Sequence, residues 1–410
     1  MPPSQSAYRR HHSTKTALVK ALSDILEAAD SRQVTLLGLL DLSAAFDTVD
    51  HDILLRRLQT SFGISGITLR WLKSFLTERT QAVTHHGHVS TYRLQKYGVP
   101  QGSVLGPLLF ILYTSDIHRI AGECRIRVHS YADDTQLYVT CFTADRHASM
   151  DLLQACIDKL HRWMCANRLK LNTDKTQFVW LGSPFQLKDL SLDKNHAIRN
   201  LGVMIDAHLS VRDHVNSVVR SCFYQLRQLR HIRHSLTTEA VRTLVHALIA
   251  TRIDYCNAIL YGVSATVLRR LQAVLNAAAR LISGVRRNDH ITPVMRELHW
   301  LPVNHRISYK VAMMTFDCLR GQCPAYLKDV CKPVCSMAAC NRLRSAARGD
   351  LIVPRTRTVR FGPRSFYVAA PVVWNSLPSN LKSPVISREV FRKHLKTWFF
   401  SLAYPQEAPL

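Results

Sequence analysis

Acidic side chains are scarce in this chain: 29 Asp and Glu stand against 54 Lys and Arg, a formal charge of +25 with a pI near 10.0. An imbalance of that size points to a polyanionic partner, bound through phosphate contacts and counterion release. No apolar run approaches the length of a bilayer-spanning helix, and the N-terminal stretch with Arg9, Arg10, His11 and His12 lacks the apolar segment of a signal peptide. These absences set a membrane partner aside and leave nucleic acid as the expected polyanion. No Cys-x-x-Cys occurs among the 11 Cys. An odd number of thiols without a secretion signal reads as reduced cysteine in an intracellular protein, nuclear or cytoplasmic. Cys318, Cys323, Cys331, Cys335 and Cys340 fall close together but lack the His spacing of a zinc knuckle, so no zinc is assigned to them. Apolar residues, by contrast, are plentiful. With 47% hydrophobic and 20% charged residues over 410 positions, the chain is globular and long enough for two or three domains.

The sequence is organised around Tyr131-Ala132-Asp133-Asp134. Before it, Ile126, Val128 and Ser130 alternate with Arg125, Arg127 and His129; after it, Leu137 and Val139 resume the alternation. The pattern predicts two short strands joined at the acidic pair. Adjacent ionised carboxylates in a tight turn repel each other, and turn geometry asks for only one Asp or Asn. A bound cation would remove the conflict; a solvated acidic turn is the ordinary alternative.

Val34 to Leu40 is a nearly continuous apolar run, the pattern of a strand buried on both faces. It ends at Asp41, a carboxylate that is costly at such an edge unless paired or metal-bound, and so a second metal-ligand candidate. Asp50 and Asp52, a few residues on, are read as capping a helix from about His51 to Phe62. Trp71 to Leu76 closes another helix, and Gln81 to Gln95 reads as a hairpin around His86-Gly87. In Gly98-Val-Pro-Gln-Gly-Ser-Val-Leu-Gly-Pro107 the glycines let backbone approach a ligand closely, with Gln101 placed to hydrogen-bond it. At the N-terminus, Arg9 and Arg10 either meet a triphosphate or belong to a solvated basic loop.

Taken in order, Leu40-Asp-Leu-Ser-Ala-Ala-Phe-Asp-Thr-Val-Asp-His51, the Gly98–Phe110 string and Tyr131-Ala-Asp-Asp134 resemble successive polymerase motifs of the non-LTR (LINE-type) retrotransposon reverse transcriptases. Asn167-Arg-Leu-Lys-Leu-Asn-Thr-Asp-Lys175 is similar to the lysine-bearing fourth motif, and Ile198-Arg-Asn-Leu-Gly202-Val to the primer-grip hairpin. Gln5-Ser-Ala-Tyr-Arg9 through Thr14 looks like the last fingers motif of the jockey-like branch. The resemblance implies an α+β right-hand polymerase: an antiparallel palm sheet backed by helices, then a helical thumb and a basic C-terminal region. Domains are expected at 1–32 (residual fingers), 33–206 (palm), 207–322 (thumb) and 323–410 (Cys- and Arg-rich tail). It also implies a partial element without the endonuclease or the front of the fingers.

By the same resemblance, Asp41, Asp133 and Asp134 would hold two Mg²⁺ ions, or Mn²⁺, for transfer of a dNTP onto a DNA primer annealed to an RNA template. Lys175 would neutralise or protonate the leaving pyrophosphate, unless it only serves the Asn-Thr-Asp turn before it. Phe46 falls where the family places the ring that clashes with a ribonucleotide 2′-hydroxyl, the alternative being an ordinary core Phe. Arg9, Gln101 and Gly102 would contact nucleotide, and Leu201 and Gly202 primer. The competing function, from another class, is a truncated or co-opted remnant that binds nucleic acid without polymerising.

Past the motifs the pattern is helical. Met150, Leu153, Ile157, Leu160 and Met164 form an apolar stripe assigned to a helix backing the sheet. Further helices are predicted at about 213–232, 238–254 after Thr237, 265–283 after Ser264, and 303–320 ending at Gly321. Arg220, Arg227, Arg230, Arg233 and Arg242 would grip duplex phosphates or form a solvated basic face. Seven Arg between Arg342 and Arg364, with Pro354 and Pro363, predict a segment that tracks phosphates or stays flexible until it meets RNA. Trp374, Phe391, Trp398, Phe399 and Phe400 suggest a small helical subdomain packing back onto the chain.

Overall fold

A computed structural model describes residues 1–188, 197–337 and 344–405. The architecture is mixed helix and sheet, and the chain divides into two compact units: residues 1–13 with 35–180, and residues 14–34 with 181–410. The segments expected at 207–322 and 323–410 thus share one unit. Among the described residues, no helix is long and apolar enough to cross a membrane.

The first unit is built on a four-stranded sheet in the order Gln177–Leu181, Val34–Leu40, Asp134–Cys141, Arg127–Tyr131. The apolar run predicted as a doubly covered strand occupies a central position, as its lack of alternation requires. Gly38 in that strand has a structural cause: a Cβ there would stand 2.7 Å from the Phe178 ring of the neighbouring strand. The two strands flanking the acidic pair form the predicted antiparallel hairpin, with Tyr131 opposite Asp134 as the last paired residues. Helix Arg146–Ala166 backs the sheet with Leu153, Ile157, Leu160 and Met164 buried. Met150 departs from the expected stripe. It is exposed, and Ser149 and Cys156 are buried on the inward face instead.

Asp50 caps helix His51–Phe62 by accepting from the N–H groups of Asp52 and Ile53, while Asp52 lies in the first turn. The hairpin around His86-Gly87 forms as two short ladders, Thr80–Gln81 with Arg93–Leu94 and Thr84–His85 with His88–Val89. Residues 4–6 run along the sheet's edge strand: the N–H of Ser6 donates to the Ser130 carbonyl at 2.9 Å, and the N–H of Ser130 to the Ser4 carbonyl at 3.0 Å. Ser4 Oγ lies 2.8 Å from Nδ1 of His118.

The second unit is helical. Arg212–His231 and Ala265–Ser283 pack together, and Val303–Leu319 lies against Phe366–Asn375 and Arg388–Ala403. The stretch predicted as one helix at 238–254 begins as expected, with Thr237 accepting from the N–H of Ala240, but contains a π-helical segment at His246–Ala250. Arg233 is not on a free basic face: its guanidinium donates to the Leu281 and Leu236 carbonyls, tying down a helix C-terminus. Arg220, Arg227, Arg230 and Arg242 are exposed.

The C-terminal part corrects the expectation of a loose basic tail. The N–H groups of Arg357 and Thr358 and the Thr358 hydroxyl all donate to the Asp30 carboxylate, at 2.9, 2.7 and 2.7 Å. The segment is therefore docked on helix Thr14–Asp30; arginine content outlined its charge but not its backbone contacts. The aromatic cluster does pack back: Phe391 stacks on Phe316 at 4.2 Å, with Trp374 beside it. Cys318 lies against the thiols of Cys323 and Cys331. Cys340 and Arg342 are outside the described residues.

Two buried imidazoles make the fold acid-sensitive. Burial, then the charge of Arg9 for His118 and Arg199 for His214, lowers each pKa from 6.5 to about 4. The unfolded chain takes up these protons near pH 6.5 while the folded chain resists them until about pH 4. Their contribution is therefore complete above pH 6.5 and is lost as pH falls towards 4. Each is expected to remove about 3 kcal/mol over that window. Urea unfolding at either end of the window checks this, with His118→Gln and His214→Gln each expected to flatten the dependence.

Candidate active site

The site grows from the strand order. Because Val34–Leu40 neighbours Asp134–Cys141, the carboxylate that follows the first strand and the pair at the hairpin turn come to the same end of the sheet. Asp41 is half-buried, and its carbonyl accepts from the N–H of Asn172 at 2.8 Å. Asp134 opens its strand with its side chain reaching solvent, yet its pKa is raised, first by desolvation, then by the charges of Asp133 and Asp41. Asp133 and Asp41 are thus close enough to Asp134 for their charges to oppose its ionisation.

A cation stands beside Asp41. Lys175 Nζ lies 3.9 Å from an Asp41 carboxylate oxygen. It is brought there by the short ladder Leu42–Ser43 with Lys170–Leu171 and by a turn in which Asn172 Oδ1 accepts from the Lys175 N–H at 3.3 Å. The turn bond matches the turn-chemistry reading of this residue, and its side chain in addition places a charge beside Asp41. Lys175 is 72% exposed, so the pair is screened and its charge is available to a ligand.

Phe46 and the glycine-rich loop are stitched together. The N–H of Gly98 donates to the Val49 carbonyl and that of Val99 to the Phe46 carbonyl, each at 2.8 Å. The loop can come this close because Gly98 has φ +89° and a Cβ on it would sit 2.9 Å from Asp47 Cα. Phe46 stacks on Phe110 at 4.4 Å and remains half-buried, so one part of its ring is core and another is accessible. Gln101 Nε2 donates to Asp47 Oδ1 at 2.9 Å, and the space beside Gly102 is open.

Arg9 sits otherwise than the triphosphate expectation. Its guanidinium donates to the Pro2 and Gln5 carbonyls at 2.6 and 2.9 Å, cinching the N-terminal loop. The residue before it, Tyr8, was missed by the sequence reading. Its pKa is raised by burial and then by the Asp133 and Tyr131 charges, which places its hydroxyl near the acidic turn.

Leu201 and Gly202 belong to the second unit. They form the two-residue turn of the hairpin Ile198–Asn200 and Val203–Ile205, with φ +42° and +83°. The Tyr255 hydroxyl donates to the Leu201 carbonyl at 2.8 Å, fixing the turn.

Carboxylate oxygens are the donor type that a hard divalent ion takes. Among the described residues no group of three or more His, Cys, Asp or Glu side chains is arranged so that it could hold a metal ion. Mg²⁺ does not need such a group, since it is ordinarily held by one or two carboxylates together with substrate phosphates and water.

A sequence profile described as reverse transcriptase (RNA-dependent DNA polymerase) matches residues 1–205. The chain is 28% identical over 324 residues to the "Probable RNA-directed DNA polymerase from transposon BS" of Drosophila melanogaster, covering 75% of this chain and 35% of that one. It is 27% identical over 301 residues to the "RNA-directed DNA polymerase from mobile element jockey" of Drosophila funebris, covering 69% and 32%. The chain thus spans about a third of the length of the curated relatives it matches. Among solved structures, apo telomerase from Candida tropicalis aligns at a TM-score of 0.42 and 11% identity, over 78% of this chain and 55% of that one.

Proposed function

We propose, from the premise that this chain belongs to the reverse transcriptase (RNA-dependent DNA polymerase) family, that its first unit performs RNA-templated transfer of a deoxynucleotide onto a DNA primer end. The observation that supports the reading is the nearness of Asp41 and Asp133 to Asp134 at one end of the sheet, where after desolvation their charges raise the Asp134 pKa. Among the described residues, the ion pair made by these carboxylates is that of Lys175 with Asp41, at 3.9 Å. A strand edge loaded with carboxylates is a poor structural solution and a good cation cradle.

In this reading the sheet and its backing helices are the palm, and helices from Arg212 onward the thumb. The residues that would hold two divalent ions are Asp41, Asp133 and Asp134; bound there, such ions lower the pKa of the primer 3′-hydroxyl and neutralise the triphosphate. Lys175 stands beside Asp41 and supplies positive charge or a proton from Nζ to the departing pyrophosphate oxygen. Gln101, held by Asp47, offers its amide to the incoming nucleotide or template, and Gly102 leaves the backbone open for it. Leu201 and Gly202, braced by Tyr255, would carry the primer. Exposed Arg220, Arg227, Arg230 and Arg242 would take duplex phosphates.

Phe46 supplies sugar selection. Its ring stacks on Phe110 on one side, which limits its movement, and in this reading its accessible part would meet a ribose 2′-hydroxyl. Phe46→Val is expected to raise ribonucleotide incorporation relative to deoxynucleotide by about 100-fold, the scale of a lost steric and polar discrimination. Incorporation on a primed homopolymeric RNA, with each deoxynucleotide and ribonucleotide supplied alone, tests both points. The reading expects addition of the complementary deoxynucleotide. Addition without regard to template would overturn it.

A further inference from the structure

The acidic turn has a mechanical problem that the strands do not solve. Tyr131 and Asp134 are the last paired residues, so Ala132 and Asp133 have no ladder partner. Ala132 is nevertheless buried, and its φ of +58° places a residue with a Cβ in the left-handed region, which disfavours it by about 1 kcal/mol or more. A buried N–H and C=O left unpaired would each weaken the turn further. Something outside the hairpin must hold the turn closed.

Gln5 meets that need. Its side-chain Oε1 accepts from the N–H of Ala132 at 3.2 Å, and its Nε2 donates to the Ala132 carbonyl at 3.4 Å. A carboxamide offers an acceptor and a donor side by side, as a strand neighbour's backbone does, and here it serves the one buried turn residue that has no such neighbour. The same Oε1 accepts from the N–H of Ala7 at 2.9 Å, which fixes the amide's orientation. The Gln5 backbone is anchored as well: it bridges Ser130 in parallel, and its carbonyl accepts from the Arg9 guanidinium at 2.9 Å. With 3% of its surface exposed, Gln5 has no role facing solvent or substrate.

We propose that Gln5 is a positioning residue that clamps the Ala132 turn and so sets where Asp133 and Asp134 point. For its catalytic consequence the inference rests on the polymerase reading; for the clamp itself it does not. It also gives Arg9 a task, since the guanidinium that closes the N-terminal loop holds the clamp's backbone in place.

The test compares Gln5→Met, which keeps the side-chain volume and loses both hydrogen bonds, with Gln5→Ala in the full chain. Hydrogen exchange resolved to residues 131–134 is expected to speed up about 10-fold or more in both variants, with exchange in the second unit serving as the folding control. The Mn²⁺ dissociation constant is expected to rise about 10-fold, and kcat to fall by a similar factor with the dNTP KM unchanged, the scale on which outer-shell residues act. If Gln5 only fills space, Met restores what Ala loses, and wild-type exchange and Mn²⁺ affinity in Gln5→Met would overturn the clamp. Absence of Mn²⁺ binding by the unsubstituted chain would count against the polymerase reading instead. Exchange needs no metal and still decides the clamp in that case.

Discussion

Asp133→Asn is expected to lower templated dNTP incorporation by about 1,000-fold while raising the stability of the first unit by about 1 kcal/mol. The two signs have one cause. Asp133 sits in a two-residue turn without a ladder partner, so exchanging a carboxylate for an isosteric amide costs no sheet hydrogen bond. It does remove one of the charges that hold the Asp134 pKa above its ordinary value, after the larger effect of desolvation. An Asp whose folded pKa is raised is destabilising in its ionised form, and losing a repelling neighbour relieves that. The same charge is what a divalent ion would need. Primer extension and thermal unfolding on one preparation check both signs. A variant that lost activity and stability together would instead assign Asp133 a structural part.

The largest stability effect is expected at Asp30. A carboxylate at the C-terminal end of helix Thr14–Asp30 opposes the helix dipole, so its presence there needs a separate reason. The reason is the docked segment: three donors from Arg357 and Thr358 converge on a side chain that is 7% exposed. Burial pushes the Asp30 pKa up, but the bonds from Arg357, Thr358 and Gly362 outweigh it and hold the carboxyl below its usual range. Its contribution is therefore present above the unfolded value of 3.8 and is lost as pH falls through the lower, folded one. Asp30→Ala leaves several buried donors unpaired and is expected to cost about 4 kcal/mol. Asp30→Asn keeps one acceptor and should cost about half as much. Denaturant unfolding at neutral pH measures both, and a loss under about 1 kcal/mol for Asp30→Ala would mean the segment is not docked through this side chain.

Much of the sheet was legible because local pattern and tertiary role agree there. A seven-residue apolar run has only one comfortable place, the middle of a covered sheet, and Val34–Leu40 occupies it. Strict alternation on both sides of the acidic pair gave the hairpin and its turn. Helix ends at Asp50 and Thr237 followed from capping chemistry. Long-range partners were not legible. Nothing in the spacing of Asp30 and Thr358 joins residues so far apart, and the arginines between them drew attention to charge when the backbone N–H groups make the contact. For Arg9 and Arg233 charge alone does not reveal the partner: each guanidinium donates to backbone carbonyls, contacts that composition cannot show. Met150 shows a smaller limit: it fits the apolar stripe by spacing, yet Ser149 beside it is the buried residue of that first turn. Gln5 was quoted as part of a motif, yet its task depends on a turn more than a hundred residues away.

The most direct test of the central claim is extension of a DNA primer annealed to an RNA template by the full chain in Mg²⁺, beside a variant carrying Asp133→Asn and Asp134→Asn. Template-directed deoxynucleotide addition by the unsubstituted chain, lost in the variant while salt-sensitive RNA binding persists in both, is the predicted result. No addition by the unsubstituted chain, with RNA binding equal in both proteins, would contradict it and leave the acidic turn without a catalytic role.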